Sequence, residues 1–152
     1  GWLVRNMSTD SRCKKSIGID GSKRMIKKAK KLDKKNEYVC SDLLCWKPNE
    51  KVKLVMSMEV FYYFENPEKL TRHIYQNWLT ENSRLIIGID FYKENIISHS
   101  WPKDTGVSIM KLFSENEWKQ MFLNSNYKNV HSWRVDQKKG WEGTLIITGE
   151  KL

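Results

Sequence analysis

The sequence predicts an α/β fold in which helices alternate with the strands of a mostly parallel sheet. Apolar residues recur at helical spacing in some segments and run almost continuously in others, and the two patterns alternate along all 152 residues. No repeat, low-complexity linker or Pro/Gly-rich boundary divides the chain. We therefore expect one domain over residues 1–152, and the 39% hydrophobic content suffices for an ordinary core.

The first half of the chain has three predicted strands with a basic helix between the first two. Trp2 to Met7 is typical of the end of a helix. Short strands are predicted over residues 16–20 and 37–40, and a more apolar one over residues 52–58. Ser22 is a suitable N-cap for the basic helix.

The second half of the chain closes with a predicted antiparallel hairpin. Its predicted elements are, in order, a helix from Asn66 to about Thr80, a strand over 84–90, a loop over 91–106, a helix with a Ser114 and Glu117 capping box, and strands over 129–135 and 143–149. The link over residues 137–140 ends in Gly, which suits a turn between the last two strands.

The net charge of +9 is concentrated in one helix. Residues 22–36 contain eight cations and a single acid. Met25, Ile26, Ala29 and Leu32 recur at helical spacing, so the lysines are predicted to form the opposite, outward face. A solvated helix face and a patch that binds RNA or a membrane surface both fit this pattern.

The cysteines, histidines and apolar runs exclude several classes of protein. Cys13, Cys40 and Cys45 are an odd number without paired metal-ligand spacing, and the three histidines lie far apart, so we expect a reducing compartment and no metal site. No apolar run approaches the roughly 20 residues of a membrane helix. We expect a cytoplasmic protein that does not bind a membrane, with organellar targeting left open because a targeting segment would precede Gly1.

Acidic residues stand at the ends of four successive strands. These residues are Asp20, Asp42, Glu59 and Asp90. Ligands of parallel α/β sheets bind at this carboxyl edge, where a carboxylate can accept hydrogen bonds from both hydroxyls of a ribose. Capping of the next helix explains a single such acid equally well. The set of four favours a nucleoside site.

Three segments around these acids resemble motifs of the class I S-adenosylmethionine-dependent methyltransferases of type 11 or 12. Residues 16–22 read Ser-Ile-Gly-Ile-Asp-Gly-Ser and resemble the second-strand motif, residues 39–43 resemble the next motif, and residues 54–64 resemble the fourth-strand motif. The resemblance covers nearly all of residues 2–150. It implies a Rossmann-like, doubly wound, mostly parallel sheet with an antiparallel C-terminal hairpin, with S-adenosylmethionine as cofactor and S-adenosylhomocysteine as product.

The resemblance also implies which residues bind the cofactor. Asp20 would hold the ribose, Asp42 and Leu43 would bracket the adenine, and Met58 and Tyr63 would contact the methionine part. The full implied set is Gly1, Asp20, Gly21, Ser22, Asp42, Leu43, Met58, Glu59 and Tyr63.

An aromatic and partly polar group after the strand ends is expected to contact a small-molecule substrate. Its members are Tyr62, Tyr63, Phe91, Tyr92, His99, Trp101 and Trp141. Each of them could instead belong to the core. His99 is the candidate catalytic base because of its place in the long loop.

The sequence departs from the family pattern at three places. The first strand and the Gly-x-Gly-x-Gly turn are absent, and only Gly1 can belong to them. The usual Pro-Gly-Gly turn is replaced by residues 80–83, and a later glycine is replaced around residues 126–127. These two replacements fit either relaxed constraint or Asn tolerating positive φ.

The absent strand would lie in the middle of the family's sheet, between the strands that end at Asp20 and Met58, so two inner edges would be exposed. We expect either a chain whose N-terminus was cut, misassembled or left out, or a reduced chain completed by a partner chain. A homo-oligomer would also cover these edges.

Methyl transfer to a small-molecule acceptor is the predicted function. Two alternatives remain open at this point: a catalytically inactive, methyltransferase-like structural or assembly subunit of a larger complex, and an RNA-associated methyltransferase that uses the basic helix over residues 22–36.

Overall fold

The computed structural model describes all residues from Gly1 to Leu152 and confirms the predicted α/β class, because helices and strands alternate along the chain. The chain forms two compact units, Gly1–Trp46 (unit 1) and Lys47–Leu152 (unit 2). The single domain over residues 1–152 stays a prediction. No helix in the chain is both long and apolar enough to cross a membrane.

Unit 1 contains two helices and a two-stranded parallel sheet. Its elements are α1 (Trp2–Met7), β1 (Ile17–Asp20), α2 (Lys23–Leu32) and β2 (Glu37–Cys40). β1 and β2 pair in register from Ile17 opposite Glu37 to Asp20 opposite Cys40. The predicted N-cap of α2 is confirmed, since Ser22 Oγ accepts a hydrogen bond from the Met25 backbone N–H at 3.3 Å.

The core of unit 1 is small. Ile26 and Ala29 of α2 pack on Tyr38 of β2, and Val4 of α1 covers them. The predicted apolar stripe of α2 is therefore only partly right, because Met25 and Leu32 are 48% and 61% exposed. A helix that packs on two short strands buries only the narrow strip of residues that faces them.

Unit 2 contains a four-stranded mixed sheet and three helices. Its elements are β3 (Val52–Met58), α3 (Pro67–Asn77), β4 (Leu79–Ile89), α4 (Trp101–Thr105), α5 (Glu115–Asn124), β5 (Lys128–Val135) and β6 (Thr144–Lys151), with 3-10 turns over Phe61–Tyr63 and Ile96–Ser100. The strand order is β3-β4-β6-β5. β3 and β4 are parallel, and β4, β6 and β5 pair antiparallel. The predicted C-terminal hairpin is confirmed.

Two predicted boundaries in unit 2 were wrong. The helix that begins at Pro67 ends at Asn77, and Leu79 already belongs to β4, which starts before the predicted residue 84. The pairing of β4 with β3 is irregular after Leu79, since Val52 pairs with Leu79 but Leu54 pairs with Arg84. β4 therefore has extra residues between Leu79 and Arg84 that form a bulge. These residues interrupt the apolar pattern from which the start of the strand was predicted.

The glycine replacements have a conformational explanation. Asn82 has φ of 53° and Asn126 has φ of 73°, so both occupy the left-handed region. Asn enters this region more readily than other non-glycine residues. Of the two explanations left open by the sequence, the structure supports Asn standing in for glycine.

The core of unit 2 lies on the sheet and beneath α3 and α5. Its fully buried large side chains include Trp118, Phe122 and Tyr127, together with Leu85 and Ile87 of β4. α5 is held at its start by the predicted capping box, which the structure confirms at Ser114 and Glu117.

Each of the two sheets has two edge strands, which are β1 and β2 in unit 1 and β3 and β5 in unit 2. β1 pairs with β2 alone, and β3 pairs with β4 alone, so one edge of each has no strand partner. β1 and β3 are the strands that end at Asp20 and Met58, for which the sequence predicts exposed edges.

Candidate functional site

In unit 1, Asp20 lies at the carboxyl end of β1, and one of its two carboxylate oxygens forms a hydrogen bond within the chain. Its Oδ1 accepts a hydrogen bond from the Ser22 backbone N–H at 2.7 Å, while Oδ2 makes no hydrogen bond within the chain. The space beside Gly21 is open, because an added Cβ would meet only the Ser41 carbonyl oxygen, at 3.9 Å. Asp20 therefore both shapes the turn into α2 and keeps an acceptor for a ligand.

The ends of β1 and β2 are joined, since the Ser41 N–H donates to the Asp20 carbonyl at 3.1 Å. Asp42 is exposed, and its Oδ1 accepts from the Leu44 N–H at 2.9 Å. Leu43 beside it is half-buried. The structure thus brings the predicted ribose and adenine residues of unit 1 to one edge of its sheet, although Asp42 also has a structural role in its turn.

Gly1, the remaining predicted cofactor residue of unit 1, packs against the core. Its carbonyl accepts from the Tyr38 hydroxyl at 3.4 Å, and a Cβ there would lie 2.9 Å from the Ala29 Cβ. The structure therefore shows a packing reason for a glycine at this position.

In unit 2, Glu59 directly follows β3 in a left-handed conformation, with φ of 57°. Its backbone N–H donates to the Gly88 carbonyl at 2.9 Å, which ties it to the neighbouring strand β4. Its Oε2 accepts from the Tyr62 hydroxyl at 2.7 Å, whereas its Oε1 is buried without a hydrogen-bond partner. A buried acceptor without a partner is uncommon and costs free energy.

Asp90 directly follows β4 and is the second half-buried acid at this edge. Its Oδ1 is also buried and lacks a hydrogen-bond partner. Burial is the largest cause that raises the pKa of Glu59, the Tyr62 hydrogen bond lowers it and the negative charge of Asp90 raises it, and together these effects bring the pKa to about 7. Glu59 is thus suited to gain and lose a proton near neutral pH.

The predicted aromatic residues fall into three environments. Tyr62 is buried and contacts Tyr63 and Phe91, with ring centroids 4.5 and 5.6 Å away. Tyr63 is 44% exposed, so it lies between this cluster and solvent. Tyr92 is fully buried, and its hydroxyl donates to the Gly143 carbonyl at 2.8 Å. Phe91 and Tyr92 thus have packing roles, and contact with a substrate stays a prediction for both.

The prediction of a loop over residues 91–106 was wrong in part, because His99 lies in the 3-10 turn Ile96–Ser100 and Trp101 begins α4, while Trp141 lies between β5 and β6. Trp101 and Trp141 are half-buried and stack on each other with ring centroids 6.4 Å apart. His99 is exposed, and its Nε2 lies 3.0 Å from the Lys93 carbonyl oxygen, which makes this nitrogen the donor. No carboxylate orients the ring of His99, in contrast to the bonded pair of Glu59 and Tyr62.

Met58, the last residue of β3, is half-buried and lies against Gly88 of β4. A Cβ at Gly88 would overlap the sulfur of Met58, so the glycine leaves room for this side chain. Asp90 was absent from the predicted site residues, although its place at the end of a strand was the signal that could have included it.

A family model described as a methyltransferase domain matches residues 1–87, which is more than half of the chain. The chain belongs to the class I S-adenosylmethionine-dependent methyltransferases. The predicted membership is confirmed, and S-adenosylmethionine is the cofactor of this family. No curated protein sequence matches the chain.

Solved structures of methyltransferases share the fold of the chain. A chain from the complex between the Haloferax volcanii Trm112 methyltransferase activator and a methyltransferase is 21% identical with a TM-score of 0.82, and the match covers 99% of this methyltransferase and 77% of that chain. The N-methyltransferase NodS from Bradyrhizobium japonicum, in complex with S-adenosylhomocysteine, is 16% identical with a TM-score of 0.70, covering 96% and 71%. These similarities confirm the Rossmann-like α/β fold.

A third structure has the same fold. The S-adenosylmethionine-dependent methyltransferase from Thermotoga maritima is 15% identical with a TM-score of 0.72, and the match covers 90% of the chain and 72% of that protein.

Proposed function

We propose that this methyltransferase transfers a methyl group from S-adenosylmethionine to a small-molecule acceptor. The observation that carries the proposal is that three of the strand-end acids have a carboxylate oxygen without a hydrogen-bond partner. Asp20 keeps a carboxylate oxygen free in unit 1, and in unit 2 Glu59 and Asp90 each have a buried oxygen without a partner. Such acceptors are suited to bind hydroxyl, amino or ammonium groups of ligands.

The residues of unit 1 fit the adenosine part of the cofactor. The free oxygen of Asp20 would accept from the ribose hydroxyls, with the open space at Gly21 and the N-cap Ser22 beside it. Asp42 would accept from the adenine amino group, and half-buried Leu43 would contact the ring. The proposed role of Gly1 is limited to backbone contact, since it has no side chain.

The residues of unit 2 fit the methionine end of the cofactor, which carries the reactive methyl group. Met58, Glu59 and Tyr63 are the proposed contacts of the methionine part. Bound S-adenosylmethionine supplies a methyl group already activated by its sulfonium, so the protein has mainly to position the acceptor and receive its proton.

Glu59 is the proposed proton acceptor, in preference to His99. Its pKa of about 7 suits a base at neutral pH, and the Tyr62 hydroxyl fixes its second oxygen. The exposed ring of Tyr63 would contact the acceptor, while Phe91, Tyr92, Trp101 and Trp141 would support the surrounding wall. His99 would act on the substrate only through its Nδ1, because Nε2 already contacts the Lys93 carbonyl.

A partner chain is also proposed. The unpaired edges of β1 and β3 suit addition of a strand from another molecule, either a second copy or a different protein. The Haloferax volcanii neighbour is in a complex with an activator, which supports such an arrangement. We further propose a cytoplasmic location.

The proposal is tested by isothermal titration of the full chain with S-adenosylhomocysteine. Asp20→Ala removes the ribose acceptor, so we expect about 100-fold weaker binding, equivalent to about 3 kcal/mol for two hydrogen bonds to a charged group. The matched control is Asp10→Ala, which removes an exposed acid of the same unit that pairs with Arg12. This control should bind as the wild type does.

Absence of any binding by the wild-type chain would overturn the proposed function. Equal losses in the Asp20 and Asp10 variants would overturn the assignment of Asp20, because a general change of charge would then account for both.

A further inference from the structure

Unit 1 contains an open groove along α2 that the proposed methyl transfer does not use. Its volume is about 490 Å³. The groove is lined by Lys23, Ile26, Lys27, Lys30, Lys31, Lys34 and Cys40. Five of these seven side chains are lysines, whose aliphatic stems form most of the wall while their ammonium groups place five positive charges around the groove.

The positive charge of the groove is not neutralised by the chain. None of its five lysines forms an ion pair. The nearby acid Asp33 is engaged elsewhere, since its Oδ2 accepts from Asn36 Nδ2 at 2.8 Å and from the Tyr38 hydroxyl at 2.7 Å. Glu37 pairs with Lys15 at 3.2 Å. An external anion would therefore meet uncompensated charge.

We propose that this groove binds the phosphodiester backbone of single-stranded RNA. Within α2, Lys23, Lys27 and the adjacent pair Lys30 and Lys31 are three or four residues apart, which places them along one side of the helix. From Lys23 to Lys31 the helix rises about 12 Å, and Lys34 follows just beyond its end, so the cations form a line that can follow several successive phosphates. Neutralisation of phosphates by lysines releases condensed counterions, and this release drives sequence-independent binding.

Single-stranded RNA fits the groove better than a membrane does. A helix that binds a bilayer inserts a continuous apolar face, but Ile26 and Ala29 of α2 already pack in the core of unit 1, and the only exposed apolar residues of α2 are Met25 and Leu32. The groove follows a single helix, which suits one flexible strand, and single strands occur in cells mostly as RNA. The inference stands independently of the proposed methyl transfer.

The test is fluorescence anisotropy of a labelled 20-nucleotide single-stranded RNA with the full chain over a series of salt concentrations. The variant Lys27→Gln, Lys30→Gln, Lys34→Gln removes three charges from the groove. The matched control Arg24→Gln, Lys28→Gln, Lys35→Gln removes three charges from the same segment but from residues that do not line the groove. Circular dichroism verifies that both variants keep their helices.

We expect the groove variant to bind RNA about tenfold more weakly or worse, and its slope of log K against log salt to fall by about 2, which corresponds to three lost contacts with a single strand. The control variant should change affinity less than threefold and keep most of the slope. Equal losses in the two variants would overturn the groove as the site.

Titrations with three other polyanionic ligands distinguish single-stranded RNA from other binding partners. A 20-base-pair DNA duplex, vesicles with 30% phosphatidylserine and a polyglutamate peptide are titrated under the same conditions. Tighter binding of any of these than of the single-stranded RNA would overturn the proposal, as would absence of RNA binding by the wild type.

Discussion

The acids at the strand ends of the two units differ in their surroundings. In unit 1, Asp20 and Asp42 each accept a backbone N–H from their own turn. In unit 2, Glu59 and Asp90 have oxygens that are buried without a partner, and the pKa of Glu59 is raised to about 7. Position at a strand end gives all four acids access to a ligand. Burial of the Glu59 carboxyl is the main reason that this group can exchange a proton near neutral pH.

This difference rests on the size of the two cores. Unit 1 buries only Ile26, Ala29 and Tyr38, whereas unit 2 has many fully buried side chains around its sheet. A carboxylate oxygen that is buried without a partner lowers the free energy of unfolding. A unit with a larger buried core has more stability with which to offset this loss.

The largest expected effect tests this difference in packing. Phe122 of α5 is fully buried against Tyr127, with ring centroids 5.1 Å apart. Phe122→Ala should lower the free energy of unfolding by about 3–5 kcal/mol through lost burial and a cavity. Chemical denaturation monitored by tryptophan fluorescence measures it. Ile26→Ala in unit 1 is the counterpart, and a larger loss there than at Phe122 would contradict the comparison.

The second prediction concerns the stability cost of the raised pKa at Glu59. The carboxyl has a higher pKa in the folded chain, about 7, than its ordinary value of 4.5. The folded state therefore binds the proton more tightly, and this contribution to stability is fully present below pH 4.5 and is lost as the pH rises through 7. Glu59→Gln removes this loss, because its neutral amide can still accept from the Tyr62 hydroxyl.

Glu59→Gln should therefore be more stable than the wild type at pH 8, by on the order of 3 kcal/mol, and this gain should fall to about 1 kcal/mol at pH 5. Urea denaturation at the two pH values measures the difference between variant and wild type, so that the other carboxyl groups cancel. A Gln variant that is less stable at pH 8 would mean that the charged form of Glu59 is satisfied in the fold.

The sequence was sufficient to predict the alternation of elements and the acids at strand ends, because both depend on local patterns. Ser22 and Ser114 mark helix starts through side-chain caps that involve only the next three residues. Burial depends on contacts distant in sequence, and for this reason the exposure of Met25 and Leu32 was missed. The proximity of Glu59 to Asp90 likewise depends on the register of β3 against β4, in which Met58 pairs with Gly88.

The smallest expected effect compares the two helix caps across the units. Ser114 and Glu117 form a reciprocal capping box. The Glu117 N–H donates to Ser114 Oγ at 3.2 Å, and the Ser114 N–H donates to Glu117 Oε2 at 2.7 Å. Ser22 makes one bond of 3.3 Å at the start of α2, where no acid lies in the first turn to favour the helix dipole.

Ser114→Ala should therefore cost about 1 kcal/mol of stability, and Ser22→Ala about half of that. Hydrogen exchange of the amides in the first turns of α5 and α2 measures each loss locally, which keeps the two units separate. Ser→Gly variants at both positions are the controls, and they should cost only a few tenths of a kcal/mol because Gly is tolerated at an N-cap. If Ser22→Ala costs more than Ser114→Ala, α2 depends on its cap more than on its small core. The difference between the units would then lie in how each helix is held at its start as well as in the depth of the packing beneath it.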